Sequence, residues 1–212
     1  MNFTVVGDDG VRRCSWANST ADYAAYHDDE WGRPIDDDRR LFEKLSLEGF
    51  QSGLSWLTIL RKRDAFREVF AGFDFEQVAQ FGEKDIARLL EDARIVRHQG
   101  KIRSTINNAQ RSLQVVQEHG SLGALIWLSE PEAKPPSMDA TTRESVALAK
   151  ELKGRGFSFI GPTTAYAFMQ SVGLVNDHAE GCALRRPVET ERASFVRPAS
   201  SPPLPVEETR PS

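Results

Sequence analysis

Residues 151–168 read ELKGRGFSFIGPTTAYAF, and the glycines in this stretch decide how the surrounding chain is built. An apolar helical pattern ends at Lys153, and Gly154, Gly156 and Gly161 punctuate the residues that follow. Pro162 then suits the first turn of a second helix, where a missing N–H costs nothing. The stretch therefore reads as helix, tight hairpin, helix. Backbone N–H groups left free at the second helix start face the hairpin, and glycine permits a phosphate to approach them closely. Lys153 and Arg155 add positive charge, and Gly156, Gly161 and Thr163 offer backbone or hydroxyl donors. The same pattern, taken alone, also serves as a plain tight connection.

Helical spacing continues on both sides. Ile86, Leu89, Leu90 and Ala93 follow an i, i+3, i+4, i+7 pattern, as do Ala165, Phe168, Met169 and Val172. Ile102, Ile106, Ala109, Leu113 and Val116 form another apolar stripe. Asp74 with Gln77, and Thr141 with Glu144, resemble capping boxes. Alternation with period two is nearly absent, so an all-α domain of short helices is expected. EPEAKPPSMD (130–139) reads as an exposed connection. From residue 184 onward proline, serine and charge dominate, which predicts a disordered tail over 184–212 behind a helical domain at 14–183 and an N-terminal extension at 1–13.

The chain has 212 residues, 40% hydrophobic and 27% charged, which suits one globular domain. No apolar run approaches the ~20 residues that cross a bilayer, and MNFTVVGDDG lacks the features of a signal peptide. A cytoplasmic protein with no membrane partner is expected. A net charge of -4 argues against gripping nucleic acid through bulk charge. The acid is concentrated in DDEWGRPIDDD (28–38), however, whereas residues 94–111 carry Arg94, Arg97, Lys101, Arg103 and Arg111 without an acid. A local basic surface is expected there.

Three groups of residues carry chemistry. Cys14 and Cys182, the only cysteines, each have a histidine nearby, His27 and His178. Two thiolates and two imidazoles suit one tetrahedral structural zinc, and His178 and Cys182 would share a face on a helical turn. Such a site would tie the two ends of the domain together. The competing reading makes both cysteines small core residues. The second group is aromatic: Tyr23 and Tyr26 share a helix face with His27, flanked by Trp16 and Trp31. Stripes of this kind more often belong to a core than to a site. The third is EGFQSGLSW (48–56), in which Glu48 is a single carboxylate among glycines and aromatics. A carboxylate leaving water needs a specific partner, or else it faces solvent.

RCSW, YHDDEWG, LEGFQSGLSW, IVRHQGKI, RGFSFIGP and GLVNDHAEGC, in that order from Cys14 to Cys182, resemble the DNA-3-methyladenine glycosylase I family of the helix-hairpin-helix glycosylase superfamily. The resemblance implies an all-α helix-hairpin-helix domain with a zinc site joining its N- and C-terminal segments. It implies that Cys14, His27, His178 and Cys182 hold the zinc, and that Glu48 hydrogen-bonds a methylated adenine. Tyr26 and Trp56 would stack around that base, with Trp16, Tyr23 and Trp31 lining or supporting the pocket. Gln51, Gly53 and Leu54 would probe the duplex, Leu54 filling the gap left by the flipped nucleotide. The partner implied is double-stranded DNA containing alkylated bases, and a monomer is expected. No aspartate stands at the place where many superfamily members carry a catalytic one, and no lysine is poised for a Schiff base, so hydrolysis without strand cleavage is expected. Two rivals are a zinc-stabilised nucleic-acid-binding protein that releases no base, and a zinc hydrolase. The second is disfavoured because four protein ligands leave no position for water.

Overall fold

The computed structural model describes residues 3–137 and 139–200. Its described residues form ten α-helices and one small hairpin. Strands β1 (Thr4–Val6) and β2 (Arg12–Cys14) pair antiparallel, Thr4 opposite Cys14, and a 3-10 turn over Ser15–Ser19 leads into α1 (Ala21–Asp29). Then come α2 (Asp38–Gln51), α3 (Trp56–Val69), α4 (Phe75–Val78), α5 (Glu83–Glu91) and α6 (Gln99–His119). The series ends with α7 (Leu122–Trp127), α8 (Arg143–Gly154), α9 (Pro162–Ser171) and α10 (Arg185–Ser194). No described helix is long and apolar enough to cross a membrane.

Helix α2 is the axis of the molecule. Every residue from Leu41 to Phe50 is buried, polar ones included, which happens only when neighbours cover a helix on all sides. Its ends are tied by side chains from distant helices. The Asp38 carboxylate accepts the N–H groups of Leu122 and Gly123 at 2.8 Å each, so it caps the start of α7 from within α2. At the other end Lys101, itself buried, donates to the carbonyls of Phe50 (2.9 Å) and Ser52 (2.6 Å). A cation at a helix C-terminus meets both the unpaired carbonyls and the negative end of the helix dipole. These ties fix the position of Glu48, one turn before that end.

The stripes on α5, α6 and α9 are largely buried as their spacing predicts, including Ile86, Leu89, Ile102, Ala109 and all four of Ala165, Phe168, Met169 and Val172. Four expectations need correction. The N-terminal extension is a β-hairpin, too short to give a period-two signal. The cap of α8 is Thr142 with Ser145, one residue beyond the Thr141 expected. Asp74 caps α4 by accepting the Glu76 and Gln77 N–H groups, but Gln77 returns its bond to the Asp74 side chain. The tail is ordered for at least its first part: α10 buries Val188, and Arg192 donates to Glu130 (2.9 Å) and the Leu174 carbonyl (3.0 Å). Low overall hydrophobicity concealed one buried valine and a buried arginine that finds partners. The rest of the expected tail, residues 201–212, lies outside the described residues.

Candidate active site and metal centre

The hairpin between α8 and α9 is held on the polar face of α6. Ser158 donates its N–H to Asn108 Oδ1 (2.9 Å), and its carbonyl accepts from Ser104 Oγ and Asn108 Nδ2, both at 3.0 Å. Asn107 donates to the Gly156 carbonyl at 2.8 Å. The stretch 94–111, read for its charge, thus contributes mainly polar clamps to the hairpin. Its basic surface is mostly neutralised: Arg94 pairs with Glu68 and Asp92, and Arg103 with Glu83, while Lys101 is the buried cap of α2. Arg155 is likewise drawn off by Glu118 (2.5 Å) and Glu151 (2.7 Å). Lys153 remains exposed, and together with Gly161 and Ser52 it lines one groove of about 490 Å³.

That groove brings together two segments a hundred residues apart in sequence. Ser52 opens the turn between α2 and α3, in which Gly53 takes φ +80 and Leu54 stands 41% exposed. A positive φ suits glycine and would strain a side chain. Gly156 (φ 87) meets the same demand across the groove, and Thr163 is exposed on the first turn of α9. Gln51 is set back, in the wall of the cavity below.

That cavity, about 360 Å³, is the aromatic pocket. Trp16 packs edge-on against Tyr23 (5.5 Å between ring centroids) and Trp31 (5.2 Å), and Tyr26 tilts against Trp56 at 5.3 Å. The Tyr23 hydroxyl accepts the Leu57 N–H at 3.0 Å, which joins α1 to the start of α3. Glu48 lies in the wall, 5% exposed. No described residue gives its carboxylate a hydrogen bond. Burial pushes its pKa up to about 8, opposed only by the charge of Lys44. Lys44 is one turn earlier on α2, buried, 4.7 Å above the Tyr26 ring and 3.3 Å from Glu30, which also binds Arg63. Nothing in the sequence marked Lys44, because a lysine in an amphipathic helix normally faces water.

Asp177, next to His178 in sequence, also reaches this cavity. Its oxygens are already committed: Oδ1 accepts the Ser137 N–H (3.0 Å), and Oδ2 accepts from the Tyr166 hydroxyl (2.5 Å) and Gln170 (2.8 Å). A larger cavity of about 790 Å³ adjoins on the far side of Asp177. Its wall mixes Lys134, Glu144, Arg185 and Glu189 and lacks the aromatic cage, so size is the weaker guide here.

At the base of the cage three of the four proposed ligands converge, and the fourth, His178, stands beside them. One ligand atom each from Cys14, His27 and Cys182 lies within 4.8 Å of the others, all three residues being buried. The His178 ring packs edge-on against that of His27, 4.8 Å between centroids. Its Nε2 is buried without a hydrogen-bond partner, while its Nδ1 is engaged by Asn176 Oδ1 at 2.9 Å. His27 gives Nδ1 to Asp28 (2.8 Å) and points Nε2 at Cys182 Sγ (3.5 Å). Outer carboxylate or carbonyl partners of this kind orient histidines that bind metal. The contact between the sulfurs pushes the Cys14 thiol up and the Cys182 thiol down. The donor set therefore fits zinc. His178 and Cys182 lie in an irregular segment and not on a helical turn, so their convergence comes from the loop path. Gly32 makes room for it: a Cβ there would meet His178 Cε1 at 2.9 Å, at a φ of +79.

The family model for methyladenine glycosylase matches residues 16–186. DNA-3-methyladenine glycosylase 1 of Escherichia coli (strain K12) is 45% identical over 180 residues, covering 81% of this chain and 96% of that protein. A crystal structure of a 3-methyladenine DNA glycosylase I superposes with a TM-score of 0.77 at 44% identity, covering 81% of this chain and 98% of that one. The Staphylococcus aureus 3-methyladenine DNA glycosylase I, solved for its recognition of 3-methyladenine, gives 0.76 at 35% identity, covering 82% and 96%.

Proposed function

The chain belongs to the methyladenine glycosylase family, and from that premise we infer that it is a DNA-3-methyladenine glycosylase whose pocket releases the damaged base from alkylated DNA. The observation that carries this reading is Glu48, a buried carboxylate with no hydrogen bond from the described residues, walled by tyrosine and tryptophan. Such a wall suits a flat cation. Methylation at N3 leaves adenine positively charged, so the carboxylate gains a charge-assisted partner and the rings gain cation–π attraction. Neutral adenine offers neither. A guest bearing a positive charge also draws Glu48 back to its ionised form, reversing the effect of burial.

Access to the base requires it to leave the stack. In this reading the exposed Leu54 fills the vacated place, Gln51 and Gly53 shape the turn behind it, and the hairpin with Lys153, Gly161 and Thr163 holds the backbone phosphates. Tyr26 and Trp56 stack around the base, while Trp16, Tyr23 and Trp31 brace them. Water then bonds to C1′ of the sugar as the C1′–N9 bond breaks. The bonding pair goes to the base and cancels its charge, and the water proton passes to solvent. An abasic site remains. The cavity wall contains no lysine, and Lys44 stands behind Tyr26 paired to Glu30, which supports hydrolysis without strand cleavage.

Cys14, His27, His178 and Cys182 would hold one structural zinc, whose chemistry is to join the terminal segments and so support the cage above it. The same reading makes the enzyme a cytoplasmic monomer acting on double-stranded DNA. Incubation with methylated DNA, followed by chromatography of the freed bases, tests the function. Release of 3-methyladenine is the expected result, and DNA binding without any base release would favour the rival binding protein.

A further inference from the structure

We propose that the N-terminal β-hairpin is a working wall of the base pocket and that Phe3 contacts the flipped base; the inference rests on the function read above. Phe3 lines the same cavity as Glu48, Tyr26 and Trp56, yet it is 42% exposed. A large apolar side chain at the rim of an aromatic cavity loses water contact when a flat guest enters, and that burial adds to the guest's affinity.

The hairpin is positioned for this work. Phe3 has its carbonyl bonded by the Ser15 N–H at 2.9 Å, and the Val5 carbonyl accepts from Asn18 Nδ2 at 2.9 Å, so the first strand is fastened to the turn that carries Trp16. The Arg12 carbonyl accepts the Ala183 N–H at 2.8 Å, which fastens the second strand to the C-terminal segment. Arg13, 6% exposed, grips Asp9 of the hairpin turn (2.6 Å) and Asp28 (2.7 Å), the residue that orients His27. A strand held at this many points presents its side chain with little ordering cost on binding. The family match begins at residue 16, so this wall lies outside the part of the chain that the match covers. The hairpin thus adds an apolar surface to a recognition site whose Glu48, Tyr26 and Trp56 lie inside the matched region.

Calorimetric titration of the full chain with free 3-methyladenine tests the assignment, using Phe3→Ala, Phe3→Leu and, as a control, Val5→Thr. Val5 is on the same hairpin and 46% exposed, but it is not part of the cavity wall. Phe3→Ala is expected to weaken binding by about 3- to 15-fold, Phe3→Leu by less, and Val5→Thr not at all. Melting temperature and metal content should match wild type in all three. Wild-type binding that Phe3→Ala leaves unchanged would overturn the proposal while the proposed function stands. Equal weakening by Phe3→Ala and Val5→Thr, with a common loss of melting temperature, would also overturn it by making the hairpin a structural prop. If the wild-type chain neither binds the free base nor releases it from methylated DNA, the function itself fails and this inference with it.

Discussion

The two buried clusters of titratable side chains lie one above the other and are built on opposite plans. In the lower one, Cys14, His27 and Cys182 turn toward each other with the His178 ring against that of His27, and each histidine has an outer partner, Asp28 or Asn176. In the upper one, Glu48 faces a cavity, and among the described residues it has only the charge of Lys44 to oppose its burial. A closed set of donors suits an ion that stays, because all its coordination positions come from the protein. A carboxylate without hydrogen bonds suits a visitor, because its desolvation is offset only when the guest arrives. The contrast accords with the proposed roles, structural for the lower cluster and recognition for the upper one.

The largest expected effect would break the lower cluster. Cys14→Ser or His178→Ala should remove the metal and lower stability by about 3 to 5 kcal/mol, or roughly 10 °C in melting temperature. Metal analysis and thermal melts check this together. Purified protein without zinc, and a melt unaffected by chelator, would make the four residues an ordinary core contact.

Next in size is the upper cluster. Glu48→Gln keeps the shape and removes the charge, so single-turnover release of 3-methyladenine should fall by about 10- to 1000-fold while zinc content is unchanged. Equal rates for the two proteins would remove Glu48 from the site.

The same substitution sharpens the comparison through pH. Burial holds the Glu48 pKa near 8, above its ordinary value of 4.5, so between those limits the unfolded chain has released a proton that the folded chain keeps. Stability attributable to this group is complete below about pH 4.5 and is lost as pH rises through 8. Glu48→Gln should therefore melt higher than wild type at pH 8, by an amount that shrinks toward pH 5. Parallel melting curves across that range would show that the carboxylate is better solvated than its surroundings indicate.

The smallest effects belong to the DNA face. Lys153→Ala should weaken binding to undamaged duplex by a few-fold and reduce the slope of log affinity against log salt by about 1. Arg155→Ala should do much less, since its guanidinium is committed to Glu118 and Glu151. The reverse ranking in a salt titration would mean that those ion pairs open to receive phosphate.

Local rules read from the sequence account for much of this molecule. The spacing of Ala165, Phe168, Met169 and Val172, the glycines around the hairpin and the proline opening α9 are all instructions that neighbouring residues carry out among themselves. The resemblance in ordered motifs then pointed to Glu48, Tyr26 and Trp56, which the folded chain sets in one cavity wall, and to Cys14, His27 and Cys182, whose ligand atoms it brings within 4.8 Å of one another. Other features required the folded chain. Lys44 and Lys101 look like solvated charges until helices close over α2 and one finds Glu30 while the other finds two carbonyls. Arg155 looks like a phosphate ligand until Glu118, from another helix, comes within 2.5 Å. Phe3 looks like part of a loose extension until a two-stranded pairing too short to show in the sequence sets it at the rim of the pocket. Periodicity and capping depend on residues a few positions apart, and the sequence displays them. The partner of a buried charge or the occupant of a cavity wall depends on residues brought close by packing, and only the tertiary structure decides those.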